Sequence, residues 1–132
     1  MKILSLSLVA LLMFVSFSAQ AQTKKNTSGT MKGYLIDKMC GTTMAKKSPD
    51  KAMASAAKHS KSCATEESCA ASGYGLMMGG TWTAFDEAGS KKAAEYLTKT
   101  KASDHIYVAV SGTRTADKIT VASIKEAKEK NQ

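Results

Sequence analysis

Tyr74-Gly75-Leu76-Met77-Met78-Gly79-Gly80-Thr81-Trp82-Thr83-Ala84-Phe85-Asp86, followed by a lysine- and alanine-rich run to Lys99, spells strand, turn, strand and helix in succession. Gly79-Gly80 is a two-residue hairpin signal, because glycine accepts the positive φ that such turns need. Tyr74 to Met78 is therefore the second strand and Thr81 to Asp86 the third. Asp86-Glu87-Ala88-Gly89 ends the hairpin, and Ser90 is the expected cap of a helix to about Lys99. Ala93, Ala94 and Leu97 would form its buried side, with Tyr96 flanking. From His105 to Thr113 the chain alternates, with Ile106, Val108 and Val110 on one face and Tyr107, Ala109 and Ser111 on the other. Residues 114–118 form a turn and Ile119 to Ile124 the last strand.

Upstream, Lys32 to Asp37 reads as a first strand, with Tyr34 and Ile36 on one face and Leu35 on the other. Residues 38–72 between it and the hairpin are small, polar and alanine-rich, and they hold every cysteine of the chain. Within them Ser48-Pro49-Asp50 is a helix start: a hydroxyl, a proline at the first position and an acid in the first turn. Ala52, Met53, Ala56 and Ala57 make a narrow apolar stripe, so the spacing predicts a helix over about 49–60. Five short strands with the main helix between the third and fourth is the order of an OB-type barrel. The expected fold is thus mainly β with two helices: a five-stranded OB-like barrel carrying a cysteine-containing helical insert after strand one. Gly33 would serve the bend such barrels need in that strand. An α+β two-layer roll is the alternative architecture.

The whole chain is 132 residues with 19 basic and 11 acidic side chains, one proline and 43% hydrophobic residues. That describes one globular domain and excludes a disordered tail, a collagen-like repeat and a multidomain enzyme. Met1-Lys2, the apolar run Ile3 to Phe17 and Ala19-Gln20-Ala21 form a secretory signal with its small-x-small cleavage pattern. The run is shorter than the about 20 apolar residues of a membrane anchor. Residues 1–21 are thus expected to be a signal peptide, 22–30 a disordered leader, 31–125 the barrel and 126–132 a charged tail that frays. The mature chain would be exported, periplasmic or extracellular, without a transmembrane anchor.

Export places Cys40, Cys63 and Cys69 in an oxidising compartment, and an odd count leaves at least one thiol over. Cys40, His59, Cys63 and Cys69 match a tetrahedral zinc site in ligand type. A helix continuing past His59 would set His59 and Cys63 four residues apart on one face. Met39, Met44 and Met53 lie in the same segment, and soft thioethers beside thiolates favour copper(I). Asp37 could accept an outer-shell hydrogen bond from His59. A polar insert of this length would also gain from one structural disulfide, and Cys40–Cys63, Cys40–Cys69 and Cys63–Cys69 are all open to it. The leftover thiol allows a disulfide-linked dimer as well as a monomer.

Catalysis has little support: there is no C-x-x-C pair, nucleophile elbow or phosphate loop, although a cysteine beside His59 or His105 would have a base in reach. A thiol-based redox protein is the enzymatic alternative. The formal charge of +8 is almost all lysine. Lys46, Lys47, Lys51, Lys58 and Lys61 crowd the insert, which in an OB barrel borders the ligand face. Lys58 and Lys61 with Tyr74 and Trp82 are therefore the expected ligand-binding residues, for a small ligand or an anionic envelope polymer. Aromatics are only 6% of the chain, too few to interleave a basic face for nucleic acid, which is not expected as a partner.

Gly33-Tyr34-Leu35-Ile36-Asp37-Lys38-Met39-Cys40-Gly41, His59-Ser60-Lys61-Ser62-Cys63-Ala64 and Cys69-Ala70-Ala71-Ser72-Gly73-Tyr74-Gly75 together resemble a group of small exported bacterial proteins of unknown function. So do Val108-Ala109-Val110-Ser111-Gly112 and Ile119-Thr120-Val121-Ala122-Ser123-Ile124. The resemblance spans residues 31–124. It implies a compact β-rich barrel and a linked role for Cys40, His59, Cys63 and Cys69, and it assigns no reaction.

Overall fold

The structure, a computed structural model, describes residues 26–130. The expected signal peptide and the first residues of the leader lie outside them. Five strands, β1 (Thr27–Asp37), β2 (Tyr74–Met78), β3 (Thr81–Phe85), β4 (Tyr107–Arg114) and β5 (Lys118–Glu126), close into a barrel in the order β1-β2-β3-β5-β4. All neighbours are antiparallel except β3 and β5, which run parallel through Ala84↔Lys118 and Phe85↔Ile119. This is the OB-like arrangement expected from the element order.

β1 makes closure work by serving two partners. Its first part, Thr27 to Tyr34, pairs with β4, and Tyr34 to Asp37 pairs with β2. At the changeover Gly33 is buried, and a Cβ there would meet the Met77 carbonyl oxygen and the Met78 and Leu76 side chains. Glycine is needed for the close approach of β2, next to the residue where β1 changes partner. Gly33→Ala is expected to destabilise the barrel by about 1–3 kcal/mol, the usual range for overpacking. A thermal melt unchanged from the wild type would remove that account.

The alternation in β1 separates two cores. Leu35 points into the barrel with Leu76, Phe85, Val108, Val110, Ile119 and Val121. Tyr34 and Ile36 point outward with Met77 and are covered by Ala52 and Ala56 of the insert. Burial on both faces explains why Tyr34-Leu35-Ile36 is an unbroken apolar run.

Helix α5 (Glu87–Lys99) lies between β3 and β4 in sequence and buries Ala93 and Leu97 against the barrel end. Its cap is Asp86, not Ser90: the Asp86 carboxylate accepts from the Gly89 N–H and also from the Val121 N–H on β5. A carboxylate that can serve both helix and strand displaces the hydroxyl one turn later. Ser90 Oγ instead accepts from the Tyr74 N–H. Ala94, expected inside, is exposed.

Two expectations about the ends are corrected. Thr27 to Thr30 are not leader but strand, because β4 continues to Arg114 and offers partners for them. The tail does not fray over its described part. Ala127 N–H donates to the Tyr107 carbonyl, and Glu129 accepts from the buried Tyr34 hydroxyl at 2.5 Å while lying 3.2 Å from His105. The tail supplies an acceptor that Tyr34 otherwise lacks. No helix among the described residues is long and apolar enough to cross a membrane.

Candidate metal centre

Residues 38–73 form four short helices where the spacing predicted one: α1 (Lys38–Met44), α2 (Pro49–Ala57), α3 (Lys61–Ala64) and α4 (Glu67–Ala71). The helix expected to pass His59 stops at Ala57, since Ser60 starts a new one by accepting from the Cys63 N–H at 3.1 Å. Asp37 starts α1 in the same way, accepting from the Cys40 N–H at 2.9 Å. Each cysteine therefore occupies the third position of its own short helix: Cys40 in α1, Cys63 in α3 and Cys69 in α4. The sequence signal was present, as Asp37-x-x-Cys40, Ser60-x-x-Cys63 and Glu66-x-x-Cys69. Capping residues three positions before a cysteine place thiols at turns that can be folded together. Glu66 makes no side-chain cap bond, so the third instance is the weakest.

The three thiols converge. Cys40, Cys63 and Cys69 present their sulfurs within 4.8 Å of one another, and Cys40 Sγ lies 3.9 Å from Cys63 Sγ. No pair sits at bonding distance and all three are free thiols, so the expected structural disulfide is not present. A disulfide needs about 2.05 Å. Tetrahedral zinc with Zn–S bonds of about 2.3 Å holds sulfurs about 3.8 Å apart, close to the observed spacing of Cys40 and Cys63.

His59 is brought in differently from the expectation of a single four-ligand set. Asp37, Cys40 and His59 form a second group within 4.8 Å that shares Cys40 with the first. His59 Nε2 lies 3.1 Å from Asp37 Oδ2, both side chains essentially shut off from solvent. The distance is that of an ion pair, but the angles are not those of a hydrogen bond, and Asp37 Oδ2, His59 Nδ1 and His59 Nε2 are all left without one. Asp37 and His59 are thus in contact as anticipated, but by close approach and not through the expected hydrogen bond. Asp37 Oδ1 is committed to the helix cap, which fixes the carboxylate and turns Oδ2 toward the imidazole.

Electrostatics bind the groups into one unit. Burial pushes the Cys40 thiol up to about 12, with the Asp37 carboxylate and the Cys63 and Cys69 thiols adding to the shift. Cys69 is raised chiefly by burial and then by Asp37. Burial alone would raise Asp37 too, but its contacts with His59 and the Cys40 N–H outweigh it and hold the carboxyl below its ordinary value. Burial, and after it the Asp37 carboxylate, keeps the Cys40 and Cys69 thiols protonated unless a cation enters. A cation inverts that logic and takes the thiols as thiolates.

The other expected ligand residues are scattered. Tyr74 is buried, and its hydroxyl donates to the Ala64 carbonyl, tying the insert to the barrel. Trp82 donates from its indole to the Ile36 carbonyl and lies over Gly41 and Gly75, where any Cβ would strike its ring. It is a lid of the outer core rather than an open stacking surface. Lys61 Nζ is engaged with the Thr100 carbonyl. Lys58 is exposed and lines a shallow groove of about 440 Å³ with Lys47 and Lys51. Met39 is exposed and Met44 half-buried, while Met53 packs against the outer core. A larger groove of about 740 Å³ lies away from the thiols, lined by Lys32, Pro49, Met53, Tyr107 and Glu129 among others. Compared with known proteins, the chain matches no family model, and no curated protein and no solved structure matches it at a significant level.

Proposed function

We propose that this chain is an exported metal-binding module that holds zinc or copper(I) on the thiolates of Cys40, Cys63 and Cys69. The observation that carries it is the convergence of three thiols, each from a separate short helix, to within 4.8 Å. A disulfide would consume two sulfurs and leave the third pressed against the bond, whereas one ion satisfies all three. Soft donors select zinc and copper(I) over calcium or magnesium. A thiol enzyme is disfavoured by the raised Cys40 thiol, since a reactive cysteine needs a lowered one. The exposed Lys47, Lys51 and Lys58 favour a second role, contact with an anionic envelope polymer.

Protein exported by a bacterial host is expected to give three alkylatable thiols on denaturation and at least one bound equivalent of zinc or copper. Cys63→Ser should weaken that binding by more than the about 10–100-fold typical of losing an outer-shell partner. An intact mass two hydrogens short, with one alkylatable thiol and no metal, would overturn the proposal. Metal content unchanged in Cys63→Ser would do the same.

A further inference from the structure

We infer that Asp37, His59 and Cys40 form a second cation site, adjoining the three-thiol site and sharing the Cys40 thiolate with it. The inference rests on the metal-binding function proposed above and concerns what else that centre holds. His59 is grouped with Asp37 and Cys40, and not with Cys63 and Cys69, so the donors fall into two triads with one member in common. A single ion bound by three thiolates and His59 would have to draw the imidazole across the cluster. Two ions would use the donors where they stand.

The second triad also carries the marks of a missing cation. Asp37 Oδ2, His59 Nδ1 and His59 Nε2 are buried polar atoms without a hydrogen bond. Asp37 is wholly buried and His59 nearly so. Native structures leave only a few buried polar atoms unmet, and here three belong to two neighbouring side chains whose Oδ2 and Nε2 stand 3.1 Å apart without a hydrogen bond. The carboxylate is not free to turn away, because its other oxygen caps α1 through the Cys40 N–H.

Charge supports the same count. Three thiolates and one carboxylate would bring four negative charges into one cluster in which Asp37 and Cys69 are buried and Cys40 and Cys63 half-buried. One divalent ion would leave two of them uncompensated, and two divalent ions balance them, with His59 neutral as a ligand. An imidazole, a carboxylate oxygen and a thiolate suit a borderline divalent ion such as zinc. A sulfur shared between triads also suits the separation of about 3.5–4 Å usual for two-metal sites.

The test is stoichiometry with zinc, followed by substitution with cobalt(II) as a spectroscopic probe, on the mature full chain. The wild type is expected to bind about two equivalents. His59→Gln and Asp37→Asn are each expected to bind about one, with the cobalt–thiolate absorption retained because the three-thiol site is intact. Asparagine keeps the helix cap, and far-UV circular dichroism verifies that both variants are folded. The double variant Cys63→Ser/Cys69→Ser is expected to keep about one equivalent while losing most thiolate intensity. One equivalent in the wild type, undiminished in His59→Gln, would mean that His59 merely pairs with Asp37, and the second site would fall while the three-thiol site stood. No metal in the wild type would bring down both.

Discussion

Asp37→Ala is expected to lower the stability of the metal-free protein by about 3–5 kcal/mol, the range for removing one partner of a buried ion pair. Asp37 ends β1 opposite Tyr74, caps α1, and faces His59 at 3.1 Å with no solvent access. Alanine would remove the cap and leave the buried imidazole without its partner. The lost cap by itself is worth about 1 kcal/mol, though the two losses share a residue and do not simply add. Urea denaturation of the wild type, Asp37→Ala and Asp37→Asn resolves the parts. Asparagine can still cap, so its loss should be smaller by roughly that amount. Equal losses for the two variants would show that the cap contributes nothing, and an Asp37→Asn variant as stable as the wild type would show the same of the charge.

Acid sharpens the same test. The folded carboxyl titrates below its ordinary value of about 3.9, because the His59 contact and the Cys40 N–H outweigh the effect of burial. A lowered folded value means that the ionised form favours the fold. That stabilisation is complete above the unfolded value and is lost as pH falls through the folded one. Wild-type stability should therefore fall more steeply below about pH 4 than that of Asp37→Asn. Parallel pH profiles would contradict the assignment. The alkaline side has the opposite sign, because Cys40 is raised to about 12. The metal-free fold loses stability as pH climbs past the unfolded thiol value of about 8.5.

Leu76→Ala is expected to cost about 2–5 kcal/mol, the range for emptying a buried leucine site. Leu76 is fully buried and stands opposite Leu35 in the β1–β2 ladder, among Val108, Val110, Ile119 and Leu97. Strands from every side of a closed barrel frame that position, so the walls cannot collapse to fill the gap. In a domain of this size each kcal/mol lowers the melting temperature by roughly 4–8 °C. Calorimetry should thus show a drop of at least about 8 °C, and a change under a few degrees would mean the cavity is relieved. The next residue, Met77, points the other way into the outer core under α2. Met77→Ala should disturb the insert more than the barrel.

Much of the barrel was legible from short-range pattern. Alternation marked β4, two glycines marked the β2–β3 turn, and Gly33 marked a special position in β1, which proves to be a close approach of β2. These signals succeed because a strand's two faces meet different surroundings at a period of two. Boundaries failed where a distant partner decided them. Thr27 to Thr30 have no apolar pattern, and they are strand because β4 reaches them. Asp86 rather than Ser90 caps α5 because β5 brings the Val121 N–H to the same carboxylate. The charged tail has no local signal either, and it is held by a hydroxyl on β1.

The candidate centre divides in the same way. Donor chemistry was determined by the sequence alone: three cysteines, a histidine and an aspartate in one segment, with capping residues before Cys40 and Cys63. Which donors face each other was decided by tertiary structure. The break after Ala57 denies His59 the helical register with Cys63 and turns it to Asp37, at the end of a barrel strand. Thiols on three separate short helices meet because α1 packs on the outer core of Tyr34, Ile36 and Met77, while α3 and α4 pack through Ala64 and Ala70 on the inner core. Residue type is a local property and spacing along a helix nearly so, but convergence of side chains from different elements depends on the surface they share.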